Sequence, residues 1–169
     1  MVRFTVAVEL PLAPKADSSK LAHEIVEYLL KPENMTRHLG LRNFREEGHT
    51  TEGDQALPRY HFVATGGFKG GLIARSFPVS MSYVQDPTSP AATWSVRTPH
   101  TNYFSRTIRV TEYERNNTPV LQVIFDVVVE FKALFPAMLI GARRQLEVEH
   151  MSFLLAMKKE FEARQVKQA

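Results

Sequence analysis

From Pro136 to about Gln165 the chain runs about 29 residues with no helix breaker except Gly141. At ~1.5 Å rise per residue this is a helix roughly 44 Å long, opened by a proline suited to a first turn. Leu139, Leu146, Phe153 and Met157 recur on one stripe, and Ile140, Met151, Leu154 and Leu155 are expected to widen it. A stripe that wide has to be covered. The segment just before it supplies the cover: Leu121, Val123, Phe125, Val127, Val129 and Phe131 alternate as the apolar face of a strand, opposite Gln122, Asp126 and Glu130. A long terminal helix laid on a sheet is the architecture these two segments impose.

The rest of the chain provides that sheet. Val2 to Leu10 alternates, with Phe4, Val6, Val8 and Leu10 on one side. Asp17 or Ser18 can cap a helix carrying Leu21, Ile25, Tyr28 and Leu29 on one face. Pro32 interrupts it and opens a second short helix to His38, ended by Gly40. No helical period persists from Leu41 to Phe131. Strand-like runs recur instead at Leu41 to Glu47, Tyr60 to Thr65, Ile73 to Gln85, Thr93 to Thr98, Tyr103 to Arg115 and Val120 to Phe131. Gly53-Asp54, the cluster Gly66 to Gly71, Asp86-Pro87 with Ser89-Pro90, Pro99-His100 and Asn116-Asn117 are read as separators. Links this short demand antiparallel neighbours. The expectation is one α+β domain over residues 1–169, a seven-stranded antiparallel sheet with two short helices after the first strand.

Composition narrows the functional classes. The 169 residues carry 21 Lys and Arg against 18 Asp and Glu, with the signs intermixed, so a nucleic-acid partner is not expected. Cysteine is absent, which removes disulfides, thiolate catalysis and cysteine-based metal sites. The interrupted, alternating N-terminal run does not read as a signal peptide. No apolar run approaches the ~20 residues of a membrane span. The cytoplasm is the expected location.

Chemistry-bearing motifs are few. Gly66-Gly67-Phe68-Lys69-Gly70-Gly71 has a lysine among glycines but lacks the following Ser or Thr and helix of a phosphate loop. It reads as a hairpin or bulge, or as a lid with Phe68 and Lys69 at its tip. The six histidines, at 23, 38, 49, 61, 100 and 150, have no metal-ligand spacing, so no metal and no cofactor are expected. No nucleophile sits beside a base, and no catalytic residue is assigned. His150 lies on or beside the inward stripe of the terminal helix. Arg75 and Arg97 fall inside strands, where they could sit at the surface or reach a buried headgroup. Phe77, Val79, Met81 and Tyr83 alternate on one strand and Trp94 and Val96 on the next, a lining suited either to solid core or to a cavity that adapts to ligand shape.

One strand, two short helices, six antiparallel strands and one long helix is an order that resembles the helix-grip fold of the START-related superfamily. That superfamily includes the START lipid-transfer domains, the birch-pollen-allergen-like proteins and the polyketide cyclase-like proteins. The stretch TPHTNYFSRTIRVTEYE and the following VLQVIFDVVVEFKALFPAMLIGARRQLEVEH look like the end of the START-like VASt domain, a sterol-binding module. The GRAM domain and membrane anchor that usually accompany it are missing here. The resemblance implies a curved sheet wrapped around the terminal helix, with a hydrophobic ligand such as a lipid, sterol or isoprenoid bound or transferred between them. The side chains expected to line that space are Phe77, Met81, Trp94, Phe125, Leu146, His150, Phe153 and Met157. The expected partners are a hydrophobic small molecule or lipid, with a membrane surface or a protein as transient contact. Two other readings stay open: a cyclase- or hydrolase-like enzyme of the same fold using His150, His61, Arg75 or Tyr60, and a non-catalytic subunit of a larger assembly.

Overall fold

The computed structural model describes residues 1–14, 16–39, 41–51, 57–70, 73–85, 88–132 and 136–168, without the side chains of 67–70, 73–75, 136–139 and 168. Its elements are β1 (Val2–Pro11), α1 (Ser18–Leu30), α2 (Pro32–His38), β2 (Arg42–Thr50), β3 (Arg59–Gly70), β4 (Ile73–Gln85), β5 (Ala91–Arg97), β6 (Thr101–Arg115), β7 (Thr118–Phe131) and α3 (Pro136–Gln168). The strands form one seven-stranded antiparallel sheet in the order β1-β7-β6-β5-β4-β3-β2. Strands β2 to β7 are a simple meander, and β1 adds to its far side.

That order explains the two short helices. β1 and β2 follow one another in sequence yet occupy opposite edges, so the link between them must cross the sheet. Six inter-strand steps of ~4.8 Å make about 29 Å. Helices α1 and α2, of 13 and 7 residues, together supply about 30 Å of rise. Each has a local reason to begin where it does. The Asp17 side chain accepts from the Lys20 amide at 3.0 Å, and Pro32 takes the first turn of α2. Asn116 and Asn117 both adopt positive φ, 52° and 59°, in the turn that joins β6 to β7.

β2 is an edge strand made awkward for further pairing. It carries register shifts between Arg42 and Arg45 and between Glu46 and Gly48, with φ of 52° at Asn43 and 124° at Gly48. Of the glycine patch expected to separate two strands, residues 66–70 extend β3 up to its junction with β4, and Gly71 lies outside the described residues: Gly66 pairs with Phe77, Gly67 with Ser76, Phe68 with Arg75, Lys69 with Ala74 and Gly70 with Ile73. The cause at Gly66 is steric. A Cβ there would lie 2.8 Å from the Phe77 ring and 2.9 Å from Val79, so glycine lets the ring lie across the strand. The proposed lid tip falls on Phe68 and Lys69, whose side chains lie outside the described residues.

The inner face of the sheet and the buried stripe of α3 enclose the core, which includes Phe4, Phe62, Met81, Trp94, Ile108, Phe125, Phe153, Leu154, Met157 and Phe161. Ile140 and Leu155 do not widen that stripe; they are 72% and 53% exposed. The helical turn gives the inward positions to Ala142, His150, Phe153, Leu154, Met157 and Phe161. Near its end α3 is tied to the strand it covers: the Gln165 amide donates to the Pro11 carbonyl at 3.2 Å and accepts from the Ala13 amide at 2.6 Å. No helix among the described residues is long and apolar enough to cross a membrane.

Candidate functional site

The pleat decides which side chains meet. Residues directly opposite across antiparallel strands point to the same face, so one rung can be followed across the whole sheet. Phe4 pairs with Val127, Val127 with Arg106, Arg106 with Trp94, Trp94 with Tyr83, Tyr83 with Tyr60 and Tyr60 with His49. Phe4, Val127, Arg106 and Trp94 are buried, Tyr83 and Tyr60 are half-buried, and His49 at the β2 edge is exposed. Aromatic rings fill one half of this rung. Trp94 lies 4.6 Å from Tyr83, Tyr83 stacks on Tyr60 at 4.8 Å, and Tyr60 meets His49 at 5.9 Å. Phe62 joins the group against both Tyr83 and Trp94.

Arg106 interrupts an apolar row. On β6 the inward positions beyond it are Ile108 and Val110, both buried, and Arg106 itself is 4% exposed. None of the ion pairs among the described residues includes it. Its guanidinium lies 5.1 Å from the centre of the Phe125 ring and 5.9 Å from that of Trp94, and one terminal nitrogen is 3.5 Å from the Met35 sulfur. Among the described residues the Arg106 Nε–H and the Trp94 indole N–H find no hydrogen-bond partner. Two buried donors on neighbouring strands are therefore unused, one of them on a cation. Burial pulls the Arg106 pKa down to about 10, which leaves the side chain charged at neutral pH.

The opposing wall comes from α3 and α2. His150 lies between the rings of Phe4 and Phe125, at 5.7 and 5.8 Å, both edge-on. Its Nδ1 is 2.8 Å from the Leu146 carbonyl, which can only accept, so Nδ1 carries the proton in the neutral ring and Nε2 is a bare acceptor. Burial first, and then the Arg106 charge, push the His150 pKa down to about 3 against the opposing effect of that carbonyl. Phe153 packs against Phe125 at 6.0 Å and stacks with His38 of α2 at 5.1 Å. Burial, and secondarily Arg37, lower the His38 pKa. The site thus combines a cation, an unused indole donor and a neutral imidazole acceptor within an aromatic surround.

The structure brings together four residues expected from the sequence: Trp94, Phe125, His150 and Phe153. Met81 is buried on the same face of β4, and Met157 is buried further along α3, towards Phe161, which packs on Tyr28. Leu146 is half-buried and contributes through its carbonyl. Phe77 is half-buried on the same face of β4 as Met81 and packs against the core, edge-on to His100 at 5.1 Å and over Gly66. Of the residues weighed for catalysis, Tyr60 and His150 face inward. His61 lies on the outer face, where its Nε2 is 2.8 Å from the Thr50 hydroxyl, and the Arg75 side chain is outside the described residues. Arg97 is exposed. Arg106, Met35 and His38 were not singled out from the sequence as members of the site, and Tyr83 was read there only within the alternating lining of its strand. For Arg106 a signal was present: it is the charge in the inward register of a strand whose following inward positions are Ile108 and Val110. Among the described residues no group of three or more His, Asp or Glu could hold a metal ion.

No model of a protein family matches the chain, and no curated protein does. Solved structures do match. The Zhui aromatase/cyclase from Streptomyces sp. R1128 superposes with a TM-score of 0.57 at 14% identity, over 94% of this chain and 92% of that one. Ara h 8.0201 gives 0.55 at 10% identity, over 96% and 99%. A START superfamily protein from Mycobacterium smegmatis gives 0.51 at 12% identity, over 99% of each chain. The likeness spans nearly the whole chain in all three and, at such identities, is a likeness of fold. With its seven-stranded sheet, two helices after the first strand and long terminal helix, the chain has the helix-grip fold that START, birch-pollen-allergen-like and polyketide aromatase/cyclase proteins share.

Proposed function

We propose that this protein binds a hydrophobic small molecule between the inner face of the sheet and α3, and carries or presents it. Apolar contact would come from the residues expected at the sequence level, Phe77, Met81, Trp94, Phe125, Leu146, His150, Phe153 and Met157, and a polar end of the ligand would be fixed at Arg106. The observation that carries this reading is the pair of unused buried donors, Arg106 Nε–H and Trp94 Nε1–H. Buried polar groups in folded proteins are almost always satisfied, so two neighbouring exceptions mark a place where a partner belongs. The aromatic surround supplies the rest: burial of apolar surface is worth about 25 cal/mol per Å2, and a few polar groups orient the molecule. The likeness of fold to an aromatase/cyclase and to a START superfamily protein agrees with an interior ligand.

Trp94 is the sole tryptophan of the chain and lies at the site, so its emission reports occupancy directly. Purified protein, extracted with organic solvent and analysed by mass spectrometry, is expected to release a discrete hydrophobic compound. Stripped protein is expected to change its Trp94 emission saturably on titration with hydrophobic probes. A protein that yields no bound compound and shows no saturable change with any probe would sink the proposal.

A further inference from the structure

We infer that the ligand is an acid with an aromatic or conjugated body, its anionic oxygen seated on the Arg106 and Trp94 donors and its body lying along the rings that lead to the β2 edge. This rests on the ligand-binding reading above and specifies the chemical class.

A cation removed from water with no carboxylate beside it is uncompensated, and the cation–π contacts to Phe125 and Trp94 only partly replace its hydration. The second donor, from Trp94, has no acceptor among the described residues. A guanidinium N–H and an indole N–H that lack acceptors suit an oxygen anion, and a charge-assisted hydrogen bond in a dry setting is among the stronger polar contacts available. The third polar atom, His150 Nε2, is an acceptor in the neutral ring. It would repel a second anionic oxygen and accept from a protonated one, which favours a single anionic group over a larger dianion.

The other half of the rung suits the body of the ligand. From Trp94 the rings continue through Tyr83 and Tyr60 to His49, and exposure rises along the series from buried to open. Tyr83 stacks within 19° of parallel to Tyr60 and within 10° of Phe62, so the ring edges of this group are left free of one another for a further aromatic contact. Ring edges carry the positive end of the aromatic quadrupole, and the π-face of a conjugated molecule is its favourable complement. The same run of rings reaches solvent at His49, so the body of the ligand would extend from the anion site towards the β2 edge.

A matched pair of probes separates charge from shape. 1-Anilinonaphthalene-8-sulfonate and N-phenyl-1-naphthylamine share one aromatic body, and only the first is anionic. Titrated into the stripped full chain, the sulfonate is expected to bind at least tenfold more tightly. Arg106→Met is expected to bring it down to the neutral probe, whose own affinity stays within about twofold, and Arg106→Lys to keep part of the preference. Equal affinities in the wild type, or a preference that survives Arg106→Met, would overturn the acid assignment while neutral-probe binding keeps the broader reading intact. Binding of neither probe would overturn both. Tighter binding of dodecanoate than of the sulfonate, followed calorimetrically, would overturn the aromatic body. Arg106→Met is read alongside its melting curve: a fold stabilised or unchanged by the substitution, together with lost anion preference, separates a binding role from a structural one.

Discussion

Arg106 imposes a cost on the fold that its neighbours only partly offset. The effective penalty for burying an unpaired ion is several kcal/mol, whereas each cation–π contact returns about 0.5–2 kcal/mol. Arg106→Met, which keeps length and apolar contact, is therefore expected to raise stability by about 1–3 kcal/mol in thermal or denaturant unfolding. A loss of that size would mean that the charge has a structural partner. His150 acts in the opposite sense on acid stability. Its folded pKa, about 3, lies below the ordinary value of 6.5, so the unfolded chain takes up a proton that the folded chain refuses between those limits. The His150 contribution to stability is therefore whole above pH 6.5 and is lost as pH drops towards 3, by up to about 1.4 kcal/mol per pH unit. His150→Leu should flatten that part of the profile in urea titrations run from pH 7 to 4; an unchanged slope would show that His150 does not govern it. His150 was legible in the sequence because helical spacing places it on the stripe. Arg106 was not, because arginine is ordinarily a surface residue and only the register of β6 against Trp94 and Val127 turns it inward.

Elements were most legible where local chemistry decides them. Asp17, Pro32 and the Asn116-Asn117 pair announce two helix starts and a hairpin through capping, a fixed φ and tolerance of positive φ. The glycine stretch of β3 misled because glycine usually ends strands, and its place here depends on Phe77, eleven residues later in the chain and directly across the ladder. Gly66→Val is thus expected to destabilise by about 1–3 kcal/mol through overpacking against Phe77 and Val79, measured by thermal unfolding; a neutral result would show that the ring moves aside freely. The outer turns of α3 misled differently. Ile140 and Leu155 are apolar yet exposed, and composition alone does not say where the edge of a helical stripe falls. The C-terminal end of α3 depends on the two bonds of Gln165. Gln165→Ala should loosen the Pro11–Ala13 segment at a cost of about 1–2 kcal/mol, seen as faster hydrogen exchange at the Ala13 amide; unchanged protection there would remove Gln165 from that role.

At the scale of the whole molecule, strand count and antiparallel sense followed from turn spacing, whereas the closing of β1 onto β7 did not, because no local signal specifies a partner more than a hundred residues away. That pairing has a temporal consequence. Leu10 lies opposite Leu121 and Val2 opposite Val129, so β1 has no partner until β7 has been synthesised. At about 5–20 residues per second, the ribosome exposes this strand for roughly 6–25 s before its ladder can form. During that interval Phe4, Val6, Val8 and Leu10 present an alternating apolar edge, relieved by Arg3, Thr5 and Glu9 on the other side. The nascent chain is thus a natural client for a chaperone that holds extended apolar segments, and ribosome-arrested chains that end before β7 should leave the β1 amides unprotected in hydrogen exchange.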